Sequence, residues 1–220
     1  MDKSSEINNA ATQTKSSQGM ISGATAVDLL KAGNTRFVSN SCVSRDLHAQ
    51  VADTATGQFP FAAVVSCIDS RIPTEVIFDQ GIGDIFNARV AGNFINEDIL
   101  GSLEFACKLA GSKLIVIMGH TSCGAVKGAC DKAELGNLTQ MLAKITPAVD
   151  AIKTEAGEAR NSSNLKFVNA VAEENVKRTI ENVKSQSPVL NEMLSNGEID
   201  IVGAMYDVKD GKVHFIEQAV

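Results

Sequence analysis

The chain has no tryptophan, one tyrosine and three histidines. No apolar run among its 220 residues reaches the 18 or so that a membrane-spanning helix needs, so a membrane is not an expected partner. There is no excess of positive charge either: 20 Lys and Arg stand against 26 Asp and Glu, a net −6. That balance argues against nucleic acid as a partner. Gly81 and Gly83 do not make a phosphate loop, because no Gly-x-x-x-x-Gly-Lys and no full Gly-x-Gly-x-x-Gly follows a strand. The five cysteines are odd in number and scattered (42, 67, 107, 123 and 130), unlike a disulfide framework. Residues 1–24 are polar, lack aromatics and lack the apolar block of a signal peptide. They are expected to form a disordered tail. A cytoplasmic location is the corresponding expectation; a periplasmic or secreted protein trimmed of its signal is the alternative.

The whole chain is 44% hydrophobic, enough for one α/β domain over residues 25–220. Ala26, Leu29, Leu30 and Phe37 have helical spacing and predict a helix over 25–38. Residues 39–57 read as loop and polar segment. The apolar run 61–66 reads as a buried parallel strand, followed by a short helix from Pro73 to Phe78 and a strand over 84–89. The mostly apolar segment 97–110 predicts a helix buried in the core or at a subunit interface. A strand over 113–118 follows, then a helix over 123–130 with Ser122 as its cap. Leu138, Met141, Leu142 and Ile145 form a helical stripe that Pro147 kinks or ends. Leu165, Val168, Ala172, Val176 and Val183 mark a longer helix, and 199–206 and 212–216 read as strands around the turn 207–211. The fold class is therefore α/β, a single domain with a central, mostly parallel sheet flanked by helices. Cys107 and Cys130 read as small core residues, and Cys42 as a free thiol in a polar loop. His48 and His214 read as ordinary loop and strand histidines.

Two short motifs carry the chemistry. Cys67-Ile68-Asp69-Ser70-Arg71 follows the first strand, and His120-Thr121-Ser122-Cys123 follows the most apolar one, 53 residues after Cys67. Ligand sites in open α/β sheets form at such carboxyl ends. Two cysteines and one histidine are the ligands of a Cys₂His zinc site, which leaves a coordination position free. The two thiolates neutralise Zn²⁺, and the free position is where water becomes hydroxide near neutral pH. Gly119 and Gly124 suit a tight strand-to-helix turn. If the first motif is extended, residues 67, 69 and 71 point the same way. Asp69 and Arg71 can then form a charge-assisted pair that keeps the carboxylate ionised.

The paired motifs resemble those of the β-class carbonic anhydrases, and the similarity of pattern runs from about residue 25 to the C-terminus. The resemblance implies a β-carbonic anhydrase-like fold and one Zn²⁺ per chain on Cys67, His120 and Cys123. It implies a catalytic Asp69–Arg71 dyad, in which Asp69 becomes a fourth zinc ligand only in a closed state. It also implies a homodimer or homotetramer that hydrates carbon dioxide reversibly to bicarbonate and a proton through zinc-bound hydroxide. Gln58, nine residues before Cys67, and Phe86, nineteen after it, match substrate-binding positions of the subclass that stays open at neutral pH. Phe105 stands where the family usually has tyrosine, without the hydroxyl. Ala91 and Val64 are expected to help line a small apolar pocket for carbon dioxide. Val64 also stands where the bicarbonate-inhibited subclass has tryptophan, which again favours the open subclass. COS or CS₂ hydrolysis on the same scaffold is one alternative. A non-enzymatic zinc or thiol redox-sensing protein is another, and Asp69 and Arg71 beside the metal ligands argue against it. No second histidine offers an obvious proton shuttle, so proton export would rely on water and buffer.

Overall fold

Short apolar runs with β-branched residues build the centre of the molecule. This computed structural model of the chain describes residues 10–216. The strands are β1 (Ala62–Ser66), β2 (Ile85–Arg89), β3 (Leu114–His120), β4 (Asp200–Tyr206) and β5 (Val213–Ile216). They form one sheet in the order β2-β1-β3-β4-β5. The first four are parallel, and β5 runs antiparallel to β4. β1 and β3 are buried along their whole length, as continuous apolar runs in a two-sided parallel sheet should be.

The helices are α1 (Lys15–Met20), α2 (Gly23–Val38), α3 (Leu47–Thr54), α4 (Thr74–Ile77) and α5 (Glu97–Glu104). Next come α6 (Gly124–Cys130), α7 (Gly136–Ala143), α8 (Thr146–Ala151), α9 (Leu165–Gln186) and α10 (Pro188–Ser195). Strand side chains alternate between two cores. Ala62, Val64, Leu114, Val116 and Met118 pack with Leu29 and Leu30 of α2, Val126 of α6 and Phe167 and Val171 of α9. Ala63, Val65, Ile115 and Ile117 pack with Leu100 and Leu103 of α5, Ile180 of α9 and Leu190 and Met193 of α10. Cys107 and Cys130 are buried and Cys42 is exposed, as their sequence settings suggest.

Several expectations are corrected. The segment expected as a disordered tail is helical from Lys15, and residues 1–9 lie outside the described part. α1 begins with a capping box between Thr14 and Ser17. Its Gln18 is buried, and Nε2 donates to the carbonyls of Pro60 and Ala110 at 2.8 Å each. Residues 47–54, read as loop, form α3, whose start is capped by the Asp46 carboxylate accepting from the Ala49 amide at 2.9 Å. Its pattern is inverted: Leu47 and Val51 are exposed while Gln50 is buried, accepting the Ile82 amide at 3.0 Å. That inversion hides the helix from an apolar-periodicity search. α10 was also missed, although Ser187 caps it and Pro188 opens it.

The helix expected over 97–110 leaves α geometry at Phe105 and closes as a π-turn through Leu109. Pro147 neither kinks nor ends α7; it sits in the first turn of α8. Ser122 does not cap α6. It adopts φ 56°, and Cys123 occupies the cap position with no side-chain bond to the helix. Gly119 lies inside β3 rather than in a turn. A Cβ there would come within 2.8 Å of both Met205 and Val176, so the absent side chain permits close packing of α9 on the sheet.

Candidate metal centre

β1 ends at Ser66 and releases Cys67, and β3 ends at His120. The two strands are neighbours, and the chain leaves them toward opposite edges of the sheet. The pair of carboxyl ends is therefore a topological switch point, where open α/β sheets place ligands. Cys123 completes the group one residue before α6.

All three side chains are buried, His120 completely. Their ligand atoms lie within 4.8 Å of one another, and the two Sγ atoms are 4.0 Å apart. That is about twice the ~2.05 Å of a disulfide. It is close to the ~3.8 Å separating two sulfurs bound at ~2.3 Å to a tetrahedral zinc. His120 Nδ1 meets the Thr121 carbonyl at 2.9 Å, so the proton belongs on Nδ1 and the lone pair on Nε2. Nε2 is buried and has no hydrogen-bond partner. A buried orphan acceptor beside two thiols is costly unless a metal takes the lone pair. The donor set thus fits zinc. The hydrogen bond from Cys123 draws the Cys67 thiol far below its usual range, and the same bond with burial pushes Cys123 far above.

Asp69 and Arg71 meet through a turn rather than an extended strand. The Ile72 amide donates to the Asp69 carbonyl at 3.0 Å and closes that turn. Arg71 Nε and Nη2 donate to the two carboxylate oxygens at 2.9 and 2.7 Å, and its amide adds a third bond at 3.0 Å. These bonds from Arg71 hold the Asp69 carboxyl well below the usual carboxylate range. Asp69 Oδ2 lies 4.0 Å from His120 Nε2, so the carboxylate borders the space that the ligands face.

The surroundings orient these groups. Gly92 donates its amide to Cys67 Sγ at 3.4 Å. It adopts φ 86°, and a Cβ there would lie 2.5 Å from Ile145 Cδ1, so glycine is required. The buried Asn175 donates to the Gly92 carbonyl at 2.8 Å. Thr121 Oγ1 donates to Asp207 at 3.2 Å, and the Ser122 amide donates to Asn169 Oδ1 at 3.0 Å.

Of the sequence-predicted residues, the structure gathers Cys67, His120, Cys123, Asp69 and Arg71. Ala91 adjoins them, between the Val90 amide on Ser66 O and the Gly92 amide on Cys67 Sγ. Val64 is wholly buried inside β1. Gln58 is not brought in: it is exposed, before β1, at the strand end opposite Cys67. Phe86 and Phe105 contact each other edge to face at 6.1 Å and line a groove with Ala63, Ala88 and Gly101. None of Cys67, His120 and Cys123 lines that groove. His48 is on α3 and His214 on β5, both exposed. Sequence reading missed Asn169, Asn175 and Asp207, which carry no motif. It also missed Arg89, whose place at a strand's carboxyl end was a usable signal.

An open, mostly parallel α/β sheet carries a Cys₂His cluster that could hold a metal at its switch point, a ligand set of the kind that catalytic zinc sites use. Comparison with known proteins gives the family. The carbonic anhydrase family matches residues 62–213. The chain is 34% identical over 193 residues to carbonic anhydrase 2 of Mycobacterium tuberculosis, covering 83% of this chain and 87% of that one. It is 35% identical over 191 residues to a carbonic anhydrase of Mycolicibacterium smegmatis, covering 84% and 88%. Among solved structures, the β-carbonic anhydrase CafA of Aspergillus fumigatus superposes with TM-score 0.67 at 25% identity, over 90% of this chain and 91% of that one. This chain belongs to the carbonic anhydrase family, in its β class.

Proposed function

We propose that this protein catalyses the reversible hydration of carbon dioxide to bicarbonate and a proton, with one Zn²⁺ held by Cys67, His120 and Cys123. One observation carries the reading: an ionised carboxylate, Asp69, is fixed by Arg71 with its Oδ2 4.0 Å from the unpartnered Nε2 of His120. Zinc in such a site supplies Lewis acidity and lowers the pKa of water from 15.7 to about 7. Cys67 and Cys123 balance the charge of the dication, and His120, with its proton on Nδ1, presents a neutral nitrogen. An ionised carboxylate only accepts hydrogen bonds. Asp69 would therefore accept the O–H of the water to be activated and orient it beside the three ligands, which would hold the metal that supplies the Lewis acidity. Arg71 keeps Asp69 ionised and held by its fork beside the ligand cluster rather than bound in it, the arrangement of the open subclass. Activity should then follow a single titration without cooperative collapse or bicarbonate inhibition.

Ala91 and Val64 are assigned to the carbon dioxide pocket of the chain's own site. Gln58, Phe86 and Phe105 are assigned to a neighbouring site in a homodimer or homotetramer, since one chain does not gather them at its own ligands. Phe105 in the groove and Leu109, four residues on, expose 50% and 76% of their surface, which suits burial against a second copy. Reduced Cys67 and Cys123 suit a cytoplasmic location. Among the described residues, no helix is long and apolar enough to cross a membrane. Nothing in the site favours COS or CS₂ hydrolysis or redox sensing.

Stopped-flow carbon dioxide hydration on protein of measured zinc content tests the proposal. Turnover proportional to zinc supports it, and a rate at one zinc per chain no higher than buffer alone refutes it. Sedimentation that finds a fully active monomer at assay concentration removes the second-copy assignment.

A further inference from the structure

Arg89 is the last residue of β2, and its Cα is in register with Ser66, the last residue of β1. The Val90 amide makes one more backbone bond, to the Ser66 carbonyl at 3.0 Å. Past that point the guanidinium continues the pairing. Arg89 Nε donates to the Cys67 carbonyl at 2.9 Å, and Nη2 donates to the Asp69 carbonyl at 2.7 Å. The two carbonyls bracket the three residues that carry a metal ligand and the dyad carboxylate. The Asp69 carbonyl also accepts the Ile72 amide that closes the turn, so two donors converge on it. None of the ion pairs among the described residues involves Arg89, so its charge is directed at main-chain oxygen rather than at a carboxylate.

We infer that Arg89 is a positioning residue: its planar fork sets the separation of the Cys67 thiolate from the Asp69 carboxylate by clamping the carbonyls of both residues. Arginine suits this task because its donors sit in one rigid plane, whereas a lysine ammonium is a single point on a flexible stem. The clamp joins two elements that backbone-to-backbone bonds no longer join, and it adds to the single bond from the Gly92 amide to Cys67 Sγ. Without it, the loop pivots on Ser66 and on the Asp69–Ile72 turn, and thiolate and carboxylate lose their mutual register. Carbon dioxide binding is not directly touched, so the loss should fall on kcat rather than KM. That kinetic statement rests on the proposed hydration activity; the effect on the metal does not.

The test uses full-length Arg89→Ala and Arg89→Lys beside the parent. Zinc affinity is read by chelator competition, coordination by the visible spectrum of the Co²⁺-substituted protein, and kinetics by carbon dioxide hydration. Arg89→Ala should bind zinc about tenfold more weakly and show altered cobalt bands, and kcat should fall about 10–100-fold with KM nearly unchanged. Arg89→Lys, which keeps the charge and loses the fork, should lie between Arg89→Ala and the parent in all three. Parent-like zinc affinity and cobalt spectrum in Arg89→Ala would overturn the inference, as would an Arg89→Lys protein identical to the parent. Should Arg89→Ala fail to fold, Arg89→Gln decides by the same measurements. If the parent itself does not hydrate carbon dioxide, the proposed function fails, and zinc affinity and cobalt spectra still judge Arg89.

Discussion

Two aspartate–arginine clusters lie ten residues apart in this chain, and they are built differently. Asp79 is almost wholly buried, with 3% of its side chain exposed, and its carboxylate accepts from Arg36, Arg45 and the Val43 amide. Burial pushes its pKa up, but the bonds from Arg36 and Arg45 outweigh that and hold it low. Asp69 has one arginine, Arg71, whose side chain is 49% exposed, and it faces the ligand cluster on its other side. Asp79 ties the 36–45 segment to the end of α4 and is enclosed by protein. Asp69 accepts as many bonds, all from Arg71, but its side chain is 16% exposed and keeps one oxygen 4.0 Å from His120 Nε2. The number of bonds therefore does not identify the functional cluster; an ionised oxygen beside an unpartnered buried nitrogen does.

The separation can be broken most severely by removing a ligand. Cys123→Ala should lose its zinc, and carbon dioxide hydration should fall to the uncatalysed rate, with circular dichroism near the parent's. Full zinc in that variant would remove the ligand assignment. Next in size is Asp79→Ala, which removes the buried carboxylate that Arg36 and Arg45 share. It should lose about 3–5 kcal/mol in urea unfolding, with hydration per bound zinc retained. A large drop in activity per zinc would show that the clusters are not separable.

Asp69→Asn sharpens the comparison from the other side. Zinc content and stability should stay near the parent's, while hydration near pH 8 should fall about 100-fold, ~2.7 kcal/mol, because an amide is not a pure acceptor. A parent-like rate would leave the dyad no catalytic part. The smallest effect is on acid stability. Both carboxyls have depressed folded pKa values, so their stabilisation is full above about pH 4 and drains as pH falls through the folded value. Urea midpoints measured between pH 6 and pH 3 should fall less steeply with acid in Asp79→Ala and in Asp69→Asn than in the parent, because each variant lacks one carboxyl whose folded value is depressed. A parent-like slope in either variant would contradict that linkage.

Much of this molecule was legible in short segments of sequence. Runs such as Ala62–Ser66 and Leu114–Met118 are apolar because both sheet faces are covered, and such runs announce themselves. Cys67, Asp69, Arg71, His120 and Cys123 were legible because zinc and carboxylate chemistry admits few residue types at tight spacing. α3 was illegible because Gln50 points inward and Leu47 and Val51 point out, a choice made by the Ile82 amide and not by the helix. Ser122 was misread as a cap because its left-handed backbone answers to Asn169, 47 residues away.

The sheet-forming runs, the donor types and their order along the chain are readable from residues alone, because they depend on side-chain chemistry and on neighbours a few residues apart. Only the tertiary structure decided which strand ends meet, which nitrogen of His120 is left bare, and that Gln58, Phe86 and Phe105 lie away from the ligands of their own chain. It also decided that Asn175 supports Gly92 from 83 residues away and that Arg89 reaches the Cys67 carbonyl from 22 residues away. The physical reason is the range of the forces. Burial and backbone propensity act locally and leave a pattern in the sequence. A hydrogen bond between distant segments is satisfied only once packing has set both partners within 3 Å, and many polar residues at many positions serve equally well until then.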